Sequence, residues 1–100
     1  MIEQREGKEA RVKELNMHLS LAYRYWQKGK PSIVASELMT SSSIANSMTD
    51  YLTERDKVET IKGFIQTARK AAADGDGDTV TAELSRALAL SEKMLRLMKR

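Results

Sequence analysis

The chain has no cysteine, one histidine, one proline and only five aromatic residues among its 100. Without Cys there is no disulfide, no thiolate nucleophile and no Cys-ligated zinc, and a single His excludes a multi-His metal site within one chain. Five glycines beside the one proline are too few for a collagenous or Pro/Gly-rich disordered polypeptide. Long apolar runs are missing too: they stop after a few residues, far short of the roughly 18 that indicate a membrane span. The segment from Met1 to Glu9 mixes charges and lacks the apolar stretch of a secretory signal. No membrane contact is expected, and the expected location is the cytoplasm. A dominant charge is lacking as well, since 17 basic residues against 14 acidic ones leave +3. That surplus is mild beside a dedicated nucleic-acid binder, whose cations crowd one face.

What is present is helical periodicity. Val12, Leu15, Leu19, Ala22 and Trp26 step by threes and fours along a helix predicted over residues 3–28, and Gly29, Lys30 and Pro31 stop it. A second helix is predicted over 32–52, with Ser32 as N-cap and a seam of Val34, Leu38, Ser41, Ala45, Met48 and Leu52. A third, over 54–73, carries Val58, Ile61, Ile65, Ala68 and Ala72, with Phe64 and Ala71 widening the stripe. The fourth, over 78–99, carries Val80, Leu84, Ala87, Leu88, Met94, Leu95 and Met98. Four stripes joined by short connections predict one all-α domain over residues 1–100, an antiparallel up-and-down four-helix bundle. The weak point is Thr40 to Ser43, four poor helix formers in succession. The continuous second helix is expected because the apolar step resumes in phase; a break there, giving five helices, is the alternative.

Asp74, Asp76 and Asp78 alternate with glycines as in the opening of an EF-hand calcium loop. Counting from Asp74, however, Thr79 stands where the turn needs Gly and Ser85 where the bidentate Glu belongs. The segment is therefore read as a turn whose Asp residues cap the fourth helix, and neither metal nor cofactor is expected. Residues 23–30 gather Tyr23, Arg24, Tyr25, Trp26, Lys28 and Lys30, a mixture of rings and cations of the kind that holds single-stranded nucleic acid. Trp26 continues the core seam, and Lys28 and Lys30 complement a helix C-terminus. Contact of Tyr23, Arg24, Tyr25, Lys28 and Lys30 with a phosphate or an acidic partner is thus the secondary reading of this segment.

Arg11 and His18, with six residues between them, resemble the Arg, four to six residues, His motif of HEPN-type ribonucleases. The resemblance implies a dimer that pairs two such sites around RNA. It covers one short segment, with Val12 where that family has a polar residue and with the motif in the first helix instead of a late one. The expected role of His18 is structural, beside the core seam and bonded to a neighbouring polar group. No nucleophile with a positioned base and no phosphate-cradling glycine loop is evident in the sequence, so no catalytic residue is expected.

Between Glu37 and Asp50 run twelve residues without a charge, and Ser36, Thr40, Ser43 and Ser47 form a small-polar stripe on the expected outward face. Small uncharged side chains let another helix approach with little charge desolvation. Met17 and Leu21 lie opposite the seam of the first helix, which makes that helix two-sided. The expected function is a non-catalytic protein-protein interaction module: a small adaptor, chaperone-like or regulatory bundle that self-associates through these residues. A nucleic-acid-binding regulator using residues 23–30 is the rival.

Overall fold

Two glycines end two of the helices. In the computed structural model, which describes residues 2–48 and 55–98 and the side chains from Gly7 onward, Gly29 and Gly75 take φ of +71° and +76°. At each, a Schellman cap closes the preceding helix. The amide of Lys30 donates to the carbonyl of Tyr25 at 3.0 Å and that of Gly29 to Trp26 at 3.1 Å; Asp76 donates to Ala71 at 2.9 Å and Gly75 to Ala72 at 3.3 Å. These stops divide the described chain into α1 (Ile2–Gln27), α2 (Pro31–Asn46), α3 (Arg55–Asp74) and α4 (Gly77–Met98), with no strand among the described residues.

The second helix starts two residues earlier than Ser32 as N-cap would have it. Pro31 occupies its first turn and Lys30 is the cap residue, without a side-chain capping bond. Proline's fixed φ suits that position and its missing N–H costs nothing there. The helix then runs unbroken through Thr40 to Ser43, so the five-helix alternative is not what forms. The hydroxyls fold back onto their own turn instead of diverting the backbone: Thr40 Oγ1 donates to the Ser36 carbonyl at 3.2 Å and Ser41 Oγ to that of Glu37 at 2.8 Å. The helix ends at Asn46, short of residue 52. Its last turn tightens, with the Ser47 amide shared between Ser43 and Ile44 and the Met48 amide on Ala45. Thr49 to Leu52, the expected final turn with its seam residue Leu52, and Glu54 and Lys99 at the expected helix bounds lie outside the described residues.

The four seams meet in one core. Val12, Leu15, Leu19, Val34, Leu38, Met48, Val58, Ile61, Ile65, Val80, Leu84 and Met94 are the large side chains wholly withdrawn from solvent. Trp26, Ala72, Leu88, Leu95 and Met98, expected on the seams, are half-buried and pack against that core. Each helix contacts the next in sequence, and α4 returns to α1. The molecule measures 43 × 20 × 20 Å, its long dimension close to the roughly 39 Å of a 26-residue helix. Two cross-helix contacts fix the α1–α4 register: Asn16 Nδ2 donates to Ser91 Oγ at 2.8 Å, and the Trp26 ring lies over Gly77, where an added Cβ would sit 3.5 Å from Cζ2. Ser91, itself buried, donates a hydrogen bond from its hydroxyl to the Leu88 carbonyl at 2.9 Å.

Candidate functional site

The outward face of α2 follows from its phase. With Val34, Leu38, Ser41 and Ala45 buried, helical spacing turns Ser36, Thr40, Ser43 and Ser47 to solvent, and all four are exposed. Ser47 Oγ donates to the Ile44 carbonyl at 2.6 Å. Thr40 and Ser47 therefore both direct their hydroxyl hydrogens to their own backbone. Met39, one residue from the buried Leu38, is 62% exposed.

The back of α1 adjoins this face. Met17 is 51% exposed and Leu21 half-buried. His18, between them, crosses to α2: its Nδ1 lies 2.5 Å from Glu37 Oε2, both side chains being about four-fifths buried. The imidazole donates and the carboxylate accepts. Met17 precedes His18 and Leu21 follows one turn on, while Ser36 precedes Glu37 and Thr40 follows one turn on. The two outward sets thus border a single α1–α2 seam, pinned at its middle by the His18–Glu37 pair. Arg11, the other member of the ribonuclease-like spacing, is ion-paired to Glu14 at 3.6 Å on the surface.

Residues 23–30 are drawn apart by the helix. Tyr23 and Tyr25 are two positions from each other on α1, so their rings leave the helix on different sides, and both pack half-buried against the core. Lys28 Nζ sits 5.6 Å from the Tyr25 ring centroid, a cation–π contact within the chain. Arg24 and Lys28, four apart, share an exposed face, and Lys30 is exposed at the start of α2. The Asp loop resolves into a cap. Asp76 Oδ2 accepts from Thr79 Oγ1 at 2.6 Å and Oδ1 from the Thr79 amide at 3.2 Å. These bonds, the side-chain one foremost, hold the Asp76 carboxyl below its ordinary range. Asp74 and Asp78 are exposed beside it. Among the described residues no three His, Asp or Glu side chains converge as metal ligands, and no helix is long and apolar enough to cross a membrane.

Two grooves escape a reading of the sequence by itself. One, of about 410 Å³, runs between α2 and α3, with Pro31, Ala35, Leu38 and Met39 on one wall and Arg69, Ala72 and Ala73 on the other. The second, of about 530 Å³, lies between α3 and α4 along Phe64, Ala89 and Leu90, edged by Arg86, Lys93 and Arg96. The signal for it was present: Arg86, Leu90 and Lys93 stand at i, i+4 and i+7 on one face of α4. Comparison with protein-family models, with curated proteins and with solved structures gives no match to this chain.

Proposed function

We propose that the chain is a non-catalytic protein interaction module of the cytoplasm, an up-and-down bundle that pairs with a second copy of itself through the outward face of α2 and the back of α1. Support for opposed helix directions comes from α1 and α4: ten residues forward along α1, from Asn16 to Trp26, correspond to fourteen back along α4, from Ser91 to Gly77. The observation that carries the pairing is the exposure of Met17 beside a helix face that bears no charge from Leu38 to Met48.

Area favours using both helices. A stable pairing covers about 800 Å² on each partner, more than one helix of sixteen residues presents. The broad side of the molecule, 43 by 20 Å, offers roughly that much. Met17 and Leu21 would supply the apolar contact, and the Ser/Thr stripe would let the second copy approach closely without desolvating charge.

Sedimentation equilibrium over a range of concentrations tests the reading. Wild type should pass from monomer to dimer, whereas Thr40→Glu with Ser43→Glu should remain monomeric with an unchanged melting curve. A strict monomer that binds RNA or DNA tightly and salt-sensitively, and loses that binding on Arg24→Ala with Lys28→Ala, would hand the function to the nucleic-acid-binding rival.

A further inference from the structure

We propose that the α3–α4 groove is a docking site for an acidic amphipathic helix of a partner protein, on a surface separate from the self-pairing face. The groove begins with a surplus of apolar surface. Ile61 and Ile65 of α3 and Leu84 and Ala87 of α4 are already buried in the core, yet Phe64 and Leu90 on the same two helices stand half-exposed. Their uncovered surface contributes nothing to the fold and is available to a ligand that brings apolar groups of its own.

Charge selects that ligand. Arg86, Lys93 and Arg96 edge the groove, Thr60 completes it, and no acidic residue lines it. Arg86 is ion-paired to Glu83, whereas Lys93 and Arg96 form no ion pair with the described residues. From Arg86 to Arg96 is about 15 Å along α4, close to three helical turns. A row of Leu or Ile at i, i+3 or i+4, and i+7 would cover Phe64, Ala89 and Leu90 over that length, with Asp or Glu on its flank reaching the cations. A second copy of the chain does not meet this description. Two copies paired groove to groove set cation against cation, and the chain's own acidic cluster, Asp74 to Asp78, carries glycines where apolar anchors are needed. Single-stranded nucleic acid fits less well, because Phe64 is the groove's one ring and is half-buried, which leaves no platform for successive bases.

The test is fluorescence anisotropy with the full chain and a labelled synthetic helical peptide of about three turns, Leu at the anchor positions and Glu on the flanks. A control peptide keeps the Leu residues and replaces Glu by Lys. The Glu peptide should bind saturably and more weakly as salt rises, and Lys93→Glu with Arg96→Glu should weaken it by about tenfold. Lys93→Ala with Arg96→Ala, which removes charge without reversing it, should weaken it in the same direction. Arg24→Glu with Lys28→Glu, on α1, should leave binding unchanged. Self-association of α2 is read separately by sedimentation, so either surface can fail without the other. No binding of the Glu peptide, equal binding of the Lys peptide, equal loss in the α1 variant, or tighter binding of an oligonucleotide would each overturn the proposal.

Discussion

Leu38 and Met39 are consecutive residues of α2 with opposite fates, one wholly buried and the other 62% exposed. Truncating each to Ala therefore tests the phase of the least conventional helix in the molecule. Leu38 packs in the common core, and emptying such a site removes its transfer energy and leaves a cavity, together about 3 kcal/mol. Helix propensity does not account for that loss, because Ala is the better helix former. Against a stability of about 5–15 kcal/mol for a chain of this size the loss is large. It corresponds to a melting-temperature drop of roughly 12–24 °C at about 4–8 °C per kcal/mol. Met39→Ala should stay within about 0.5 kcal/mol of wild type. Thermal and urea melts followed by circular dichroism measure both. Comparable losses from the two substitutions would mean that α2 is rotated from the phase described, and with it the exposure of Ser36, Thr40, Ser43 and Ser47.

Glycine should answer to backbone conformation: Gly29→Ala and Gly75→Ala force a Cβ into positive φ and should each destabilise by about 1–2 kcal/mol. Gly63→Ala, at an exposed position in the middle of α3 with nothing within 4 Å, should stabilise by about 0.5–1 kcal/mol in the same melts. Of the two buried serines, Ser91→Ala takes the acceptor from the Asn16 amide and should cost about 1 kcal/mol. Ser41→Ala, whose hydroxyl bonds a carbonyl of its own turn, should be within about 0.5 kcal/mol of neutral. Asp76→Ala should lower the melting temperature near neutral pH. Because the folded carboxyl titrates below its unfolded value of about 3.9, its contribution is whole above that pH and fades as pH falls through the folded value. Melts across a pH series should therefore show wild type and Asp76→Ala converging in acid.

Where the chain writes its structure in local spacing, the structure is legible. The seam of α2 from Val34 to Met48 reads correctly even with Ser41 in it, because neighbours at threes and fours constrain its phase whatever its own polarity. The stops at Gly29 and Gly75 are legible because left-handed backbone is a glycine property. The end of α2 at Asn46 is not, since Ser47 keeps right-handed helical angles and no glycine or proline marks the place. Long-range polar pairing is equally hidden. Asn16 and Ser91 are 75 residues apart, and nothing in either segment names the other. His18 illustrates the middle case: a polar partner is expected from its place beside the seam, while its identity as Glu37 needs α1 and α2 side by side. The outward stripe was readable as a face, but the α3–α4 groove requires knowing that Phe64 and Leu90 stand on facing shoulders of two helices.

The two proposed surfaces differ in the property that decides what each can bind. A two-fold contact sets a surface against its own copy, so any net charge on that surface meets itself and repels. The α2 half of the proposed pairing face, with no charge from Leu38 to Met48, would carry no such penalty, and its exposed apolar neighbour Met17 would gain by meeting a second Met17 region across the axis. The α3–α4 groove is apolar as well but edged by three cations, so the same symmetry that favours pairing through α2 penalises pairing through the groove. Lys99 and Arg100 continue the positive run of the sequence after Met98. A bundle built this way can use one face for its copy and keep the other for an acidic partner. Charge reversal at Lys93 and Arg96 should then leave the sedimentation profile unchanged, and charge insertion at Thr40 and Ser43 should leave peptide binding per chain unchanged.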